Sequence, residues 1–120
     1  MLLNELLEPL AVIAQSCEVL LSEAGGLLNV YQERVVISIR QVTSDMQDLL
    51  ISLPDLNSAN THDLLSYETR SHLASIIGYS EVLLDEEDGS LSDTQKQHVQ
   101  NVRTAGKRLL GLVMQLLEEN

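Results

Sequence analysis

Glu18-Val19-Leu20-Leu21 recurs without a gap as Glu81-Val82-Leu83-Leu84, 63 residues further along the chain. The same offset pairs Leu10-Ala11 with Leu73-Ala74, Ile13 with Ile76, Glu23 with Glu86, Gly26 with Gly89, Leu28 with Leu91, Gln32 with Gln95, Val36 with Val99 and Arg40 with Arg103. Residues 1–54 set against 64–117 share 17 identities, a turn glycine among them. Leucine-rich composition alone does not bring turns into register, so the chain reads as two copies of one unit.

Each unit is a helical hairpin. Apolar residues recur at helical spacing in four blocks, roughly 2–24, 28–53, 61–86 and 92–118, each long enough for several turns. Gly25-Gly26 ends the first block, Pro54-Asp55-Leu56-Asn57-Ser58-Ala59-Asn60 separates the second from the third, and Asp88-Gly89-Ser90 ends the third. Asn60 or Thr61 is placed to cap the third helix, and Ser92 or Asp93 the fourth. A 3-4 stripe runs through Val35, Ile39, Val42, Met46, Leu49 and Leu53, and again through Val102, Ala105, Leu109, Leu112 and Leu116, as expected of a bundle seam. A hairpin with one long apolar face is not stable alone. The expected fold is therefore all-α: one domain over 1–120, an antiparallel four-helix bundle, with repeat 1 at about 1–54, a linker at about 54–60 and repeat 2 at about 61–118. The short linker lets the two hairpins close on each other, giving a monomer with pseudo-two-fold symmetry.

The composition narrows the function. Eighteen acidic against seven basic residues give a formal net charge of −11, which repels phosphate backbones and anionic lipid, so neither nucleic acid nor membrane is an expected partner. No apolar run approaches the roughly 18 residues that span a bilayer, and Met1-Leu2-Leu3-Asn4-Glu5 lacks the basic start of a secretory signal; a cytoplasmic location is expected. There is no Trp or Phe, so the core is aliphatic. The single cysteine, Cys17, falls at core spacing and reads as a small buried hydrophobe.

Glu68-Thr69-Arg70-Ser71-His72-Leu73-Ala74-Ser75-Ile76-Ile77-Gly78-Tyr79-Ser80-Glu81-Val82-Leu83-Leu84 resembles the first helix of the dimerisation and phosphotransfer domain of sensor histidine kinases. Gln95, Val99, Val102 and the segment from Leu109 to Leu117 resemble its second helix, so the likeness covers nearly all of 64–117. In that family two hairpins dimerise into a four-helix bundle, and a phosphoacceptor histidine opens the motif His-Glu-Leu-Arg-Thr-Pro-Leu. The resemblance implies the same bundle here with both hairpins fused in one chain. It places Tyr67 at the phosphoacceptor position of the second copy, followed by Glu68, and Asn4 at that of the first, in Asn4-Glu5-Leu6-Leu7-Glu8-Pro9-Leu10. Phosphotransfer requires an imidazole nucleophile, which neither an amide nor a phenol replaces, and Glu5 and Glu68 as general bases have no nucleophile to activate. No glycine-rich nucleotide-binding segment follows Leu117-Glu118-Glu119-Asn120. The expectation is a chain that is not an enzyme and takes no cofactor.

Three histidines remain. His62 opens His62-Asp63-Leu64-Leu65, a faint echo of the motif but out of register; His72 stands at the motif's proline; His98 falls on the fourth-block stripe opposite Val35. None has a partner at metal-ligand spacing, so no metal is expected. Asp85-Glu86-Glu87-Asp88 crowds four carboxylates at a helix end and reads as a solvated tip or a contact for a basic partner.

The expected function is that of a non-catalytic two-component signalling protein that binds a response-regulator receiver domain. In the resembling family receivers dock on the bundle below the histidine, which maps to Gly78, Tyr79, Val82 and Leu83 with the facing part of the fourth helix, and in the first copy to Gln15, Ser16, Val19 and Leu20. The alternatives are a structural dimerisation or scaffold module, with a histidine kinase as partner, and a cryptic phosphotransferase acting through His62 or His72.

Overall fold

The structure, a computed structural model, describes residues 2–22, 25–53, 63 and 65–118. The 54–60 linker, the caps expected at Asn60 and Thr61, and His62 lie outside the described residues. Helix α1 spans Leu2–Leu21, α2 Val30–Ser52, α3 Arg70–Asp85 and α4 Asp93–Glu118, and a π-helical turn, Leu65–Thr69, leads into α3. The helices pack in the cyclic order α1, α2, α3, α4 and back to α1. Because successive helices reverse direction, every neighbour in the ring is antiparallel. The molecule is an all-α four-helix bundle measuring 44 × 22 × 19 Å; α4 alone, at 1.5 Å per residue, accounts for about 39 Å of that length.

Burial follows the 63-residue offset position by position. Leu6, Leu10, Ile13, Cys17 and Leu20 of α1 are buried, and so are Thr69, Leu73, Ile76, Ser80 and Leu83. In α2 the buried Gln32, Val36, Ile39, Thr43, Met46 and Leu50 correspond to Gln95, Val99, Val102, Gly106, Leu109 and Val113, also buried. The expected stripes are one residue out at their ends: Leu50 and Val113 enter the core, whereas Leu49 and Leu112 stop at its edge. Val42 and Leu53 also pack only at the edge. A straight α-helix drifts about 20° per heptad against a 3.5-residue repeat, which moves parts of a strict stripe toward the core's edge, while Leu116, the last of the second stripe, stays buried. Two of the buried hydroxyls that interrupt the aliphatic core are satisfied within their own helices, Thr43 Oγ1 donating to Ile39 O at 2.7 Å and Ser80 Oγ to Ile77 O at 2.7 Å.

The two turns lie side by side at one end, where they are joined by a reciprocal pair of cross-links. Asn29 and Gln32 form a capping box at the start of α2, Gln32 N donating to Asn29 Oδ1 at 2.8 Å and Asn29 N to Gln32 Oε1 at 2.9 Å. Ser92 and Gln95 repeat it at the start of α4, at 3.1 and 2.8 Å. Each glutamine then uses its Nε2 to reach the other hairpin's turn: Gln32 donates to Ser90 O at 3.1 Å and Gln95 to Leu27 O at 2.9 Å. These bonds are equivalent under the 63-residue offset. The aligned turn glycines both need positive φ, 89° at Gly26 and 148° at Gly89, and a Cβ at Gly89 would collide with the Asn29 and Gln32 side chains.

Within each hairpin one ion pair also repeats, Glu18–Arg40 at 3.6 Å and Glu81–Arg103 at 3.2 Å. All four side chains are largely exposed, so each pair contributes at most about 1 kcal/mol. The seams between hairpins differ: α1 meets α4 over a larger area of contact than α2 meets α3.

Candidate partner-binding surface

Asn4 and Tyr67, where the resemblance placed the phosphoacceptor, are both exposed, Tyr67 at 78% in the π-helical turn. Glu5 is exposed and Glu68 half-buried. His72 is half-buried on α3, five residues beyond Tyr67. His98 is half-buried in α4, its Nδ1 enclosed without a hydrogen-bond partner. Cys17 is fully buried, and burial, reinforced by the neighbouring Glu18, pushes its thiol up to about 12; it is inert packing at neutral pH. Among the described residues no group of three or more His, Cys, Asp or Glu is gathered to hold a metal ion, and no helix is long and apolar enough to cross a membrane.

Of the residues expected to form a docking face on α3, Tyr79 and Val82 are exposed at 38% and 39%, and Gly78 is half-buried with open space where a Cβ would stand. Leu83 is 3% exposed and belongs to the core; it lies under this surface, not on it. The other wall also differs from expectation. Ile77 and Glu81 are the α3 residues that meet α4, Ile77 against Gly106 and Glu81 on Arg103. Tyr79 is two residues from each, which at 3.6 residues per turn is roughly 200° around the helix. The face that carries Tyr79 therefore looks toward α2. Val82 and Leu83 share a crevice with Tyr31 and Gln32 of α2 and with Glu86 and Asp88 at the turn. Tyr31, exposed at 46%, is the participant that sequence reasoning missed. Its position four residues before the buried Val35, one turn up the same side of α2, was the available signal.

The first-copy counterpart is unlike it. Gln15 is exposed, but Ser16 is 4% exposed and Val19 half-buried, so the face opposite Tyr79 and Val82 offers one polar side chain. Ser16 is enclosed because it stands where α1 approaches α4, at the wider of the two seams. Tyr31 is matched there by Thr94. The α1–α4 seam has a groove of its own nearer the middle, about 210 Å³, lined by Pro9, Val12, Asn101, Thr104, Ala105 and Arg108.

The acidic tip is partly organised. Glu86 takes a left-handed conformation, φ 59°, as the cap of α3. Its carboxylate pairs with Lys96 at 2.8 Å and accepts from Leu91 N at 3.3 Å. The hydrogen bond from Lys96 holds the Glu86 carboxyl below its ordinary range, and the same bond raises the Lys96 ammonium.

Two antiparallel hairpins close into one bundle with exposed helix faces and a buried aliphatic centre. Residues 64–120 match the model of the HisKA family, the His Kinase A (phospho-acceptor) domain. The second hairpin is thus a HisKA domain, which connects it with two-component signalling, where the partners are histidine kinases and response regulators. Neither the curated proteins nor the solved structures contain a match to the chain.

Proposed function

We propose that the chain is a non-catalytic two-component signalling protein: a fused pair of HisKA-type hairpins, the first a degenerate copy of the second, that binds a response-regulator receiver domain without transferring phosphate. The observation that carries this reading is the combination of an exposed Tyr67, in the π-helical turn at the position proposed for the phosphoacceptor, with an exposed Tyr79 and Val82 on α3. An exposed phenol cannot replace an imidazole as a phosphoacceptor, while exposed aromatic and aliphatic side chains on a rigid helix are the groups from which interface anchors are made. The protein acts in the cytoplasm as a monomer, one hairpin serving the other as a dimer partner would. Capture from host lysate with the tagged chain tests it. A receiver-domain protein retained by the native chain and lost with Tyr79→Ala is expected; retention undiminished by the substitution would move the surface elsewhere. Receiver-dependent transfer of labelled phosphate onto the chain would end the non-catalytic reading.

A second reading has its own support in the reciprocal bonds Gln32 to Ser90 O and Gln95 to Leu27 O. They join hairpin to hairpin, so a kinase hairpin able to supply the same turn would compete for the same place and make this chain a dimerisation module. Mixed oligomers with an isolated kinase hairpin, detected by light scattering, would favour it; a bundle that stays monomeric and exchanges nothing would exclude it.

A further inference from the structure

Three of the ten large apolar side chains that stand exposed among the described residues, Tyr31, Tyr79 and Val82, lie toward the turn end of α2 and α3. Tyr31 and Val82 wall one crevice across the α2–α3 seam, and Tyr79 lies three residues before Val82, within roughly 60° of it around α3. A contiguous apolar strip on a strongly charged molecule marks a contact surface. Its rim is acidic. Glu33, Asp85, Glu86, Glu87, Asp88 and Asp93 stand at this end against Arg34 and Lys96, and Lys96 is already engaged by Glu86.

We propose that this strip docks a cationic amphipathic helix of a partner protein, whose apolar side lies along Tyr31, Tyr79 and Val82 while its lysines and arginines meet Asp85, Glu87 and Asp88. The charge decides among occupants. Carboxylates concentrated around an apolar groove raise the local concentration of cationic segments and repel acidic ones, nucleic acid and anionic lipid. The pseudo-equivalent place on the other seam has Thr94, buried Ser16 and half-buried Val19 in place of Tyr31, Tyr79 and Val82, so one segment binds per chain. The inference rests on the docking reading for its choice of the α3 face, and it adds the chemistry that the partner must present.

The test is fluorescence titration of the full chain with a labelled lysine–leucine peptide whose leucines recur at helical spacing, compared with a peptide of the same composition whose leucines are scattered. Saturation at one peptide per chain is expected, with the scattered peptide bound at least about tenfold more weakly. Tyr31→Ala with Val82→Ala, and separately Asp85→Lys with Glu87→Lys and Asp88→Lys, should each cost about tenfold or more. Glu5→Lys with Val12→Ala, on α1 away from the strip, should change nothing, and circular dichroism confirms that each variant is folded. Equal binding of the two peptides, two peptides per chain, or indifference to the tip substitutions would overturn the inference. A receiver captured through Tyr79 with the amphipathic peptide ignored would remove this inference and leave the docking reading. The peptide bound as described with no receiver captured would do the reverse.

Discussion

The two seams between hairpins are built from equivalent positions and turn out differently. Where α1 meets α4, the side chain at the position of Tyr79 is Ser16, small enough to be enclosed, and the helices share the wider contact. Where α2 meets α3, Tyr79 and Tyr31 stand partly in solvent and the contact is narrower. A homodimer would have two identical seams. Fusing the hairpins into one chain frees each seam to take its own residues, and one has become packing while the other has kept an exposed face.

Paired substitutions across the offset test how far the halves have diverged. The largest effect is expected at the turns. Gly89→Ala combines φ 148° with a collision against the Asn29 and Gln32 side chains, whereas Gly26→Ala, at φ 89°, meets only Gln95 Nε2 at 3.4 Å. Thermal melts should show Gly89→Ala destabilised by about 1–3 kcal/mol and Gly26→Ala by less; equal losses would mean the turns are interchangeable.

His98 is matched by the buried Val35 in the first hairpin, and its Nδ1 is enclosed without a partner. His98→Val, which restores the symmetry, should stabilise the bundle by roughly 1 kcal/mol in denaturant titrations, the usual gain from removing an unsatisfied buried polar atom. A loss would show that the imidazole is satisfied in solution.

Gly78, matched by Gln15, has room for a Cβ and sits mid-helix. Gly78→Ala should raise stability by about 0.5–1 kcal/mol. If the space above it admits a partner, the same substitution weakens capture of that partner even as it raises the melting temperature.

The smallest effect is electrostatic. Glu86 pairs with Lys96, while the residue matching Lys96 in the first hairpin is Glu33. The Glu86 carboxyl is held below its ordinary value, about 4.5, chiefly by the hydrogen bond from Lys96. Its stabilisation is therefore complete above that pH and disappears as pH falls through the lowered folded-state value. Acid titration of Glu86→Gln should lack this part of the acid limb; an unchanged profile would show that solvent screens the pair out.

Much of this was legible from residue types alone. The offset between Gly26 and Gly89 predicted aligned turns, and both glycines take positive φ. Ser92 was foreseen as a cap, and its box with Gln95 forms. Spacing put Cys17 in the core, where it lies. The docking face was less legible. The resemblance drew attention to Tyr79 and Val82 but took Leu83 with them, although Leu83, one residue past Val82, is turned about 100° around the helix into the core. It also named the fourth helix as the second wall, where the angular position of Tyr79 turns it toward α2. Tyr31 carried only its spacing from Val35 as a signal, and its place in the crevice followed once α2 and α3 were neighbours.

The sequence by itself determined the number of helices, the places of the glycine turns and the 63-residue repeat, since these depend on local spacing, glycine chemistry and side-chain identity. Only the tertiary structure decided that the position held by Ser16 in one seam is enclosed while that held by Tyr79 in the other is exposed, and that the glutamines of the two capping boxes cross-link the turns. Those outcomes depend on the distance between helices far apart in the chain, and that distance is set by the volumes of the side chains that meet between them.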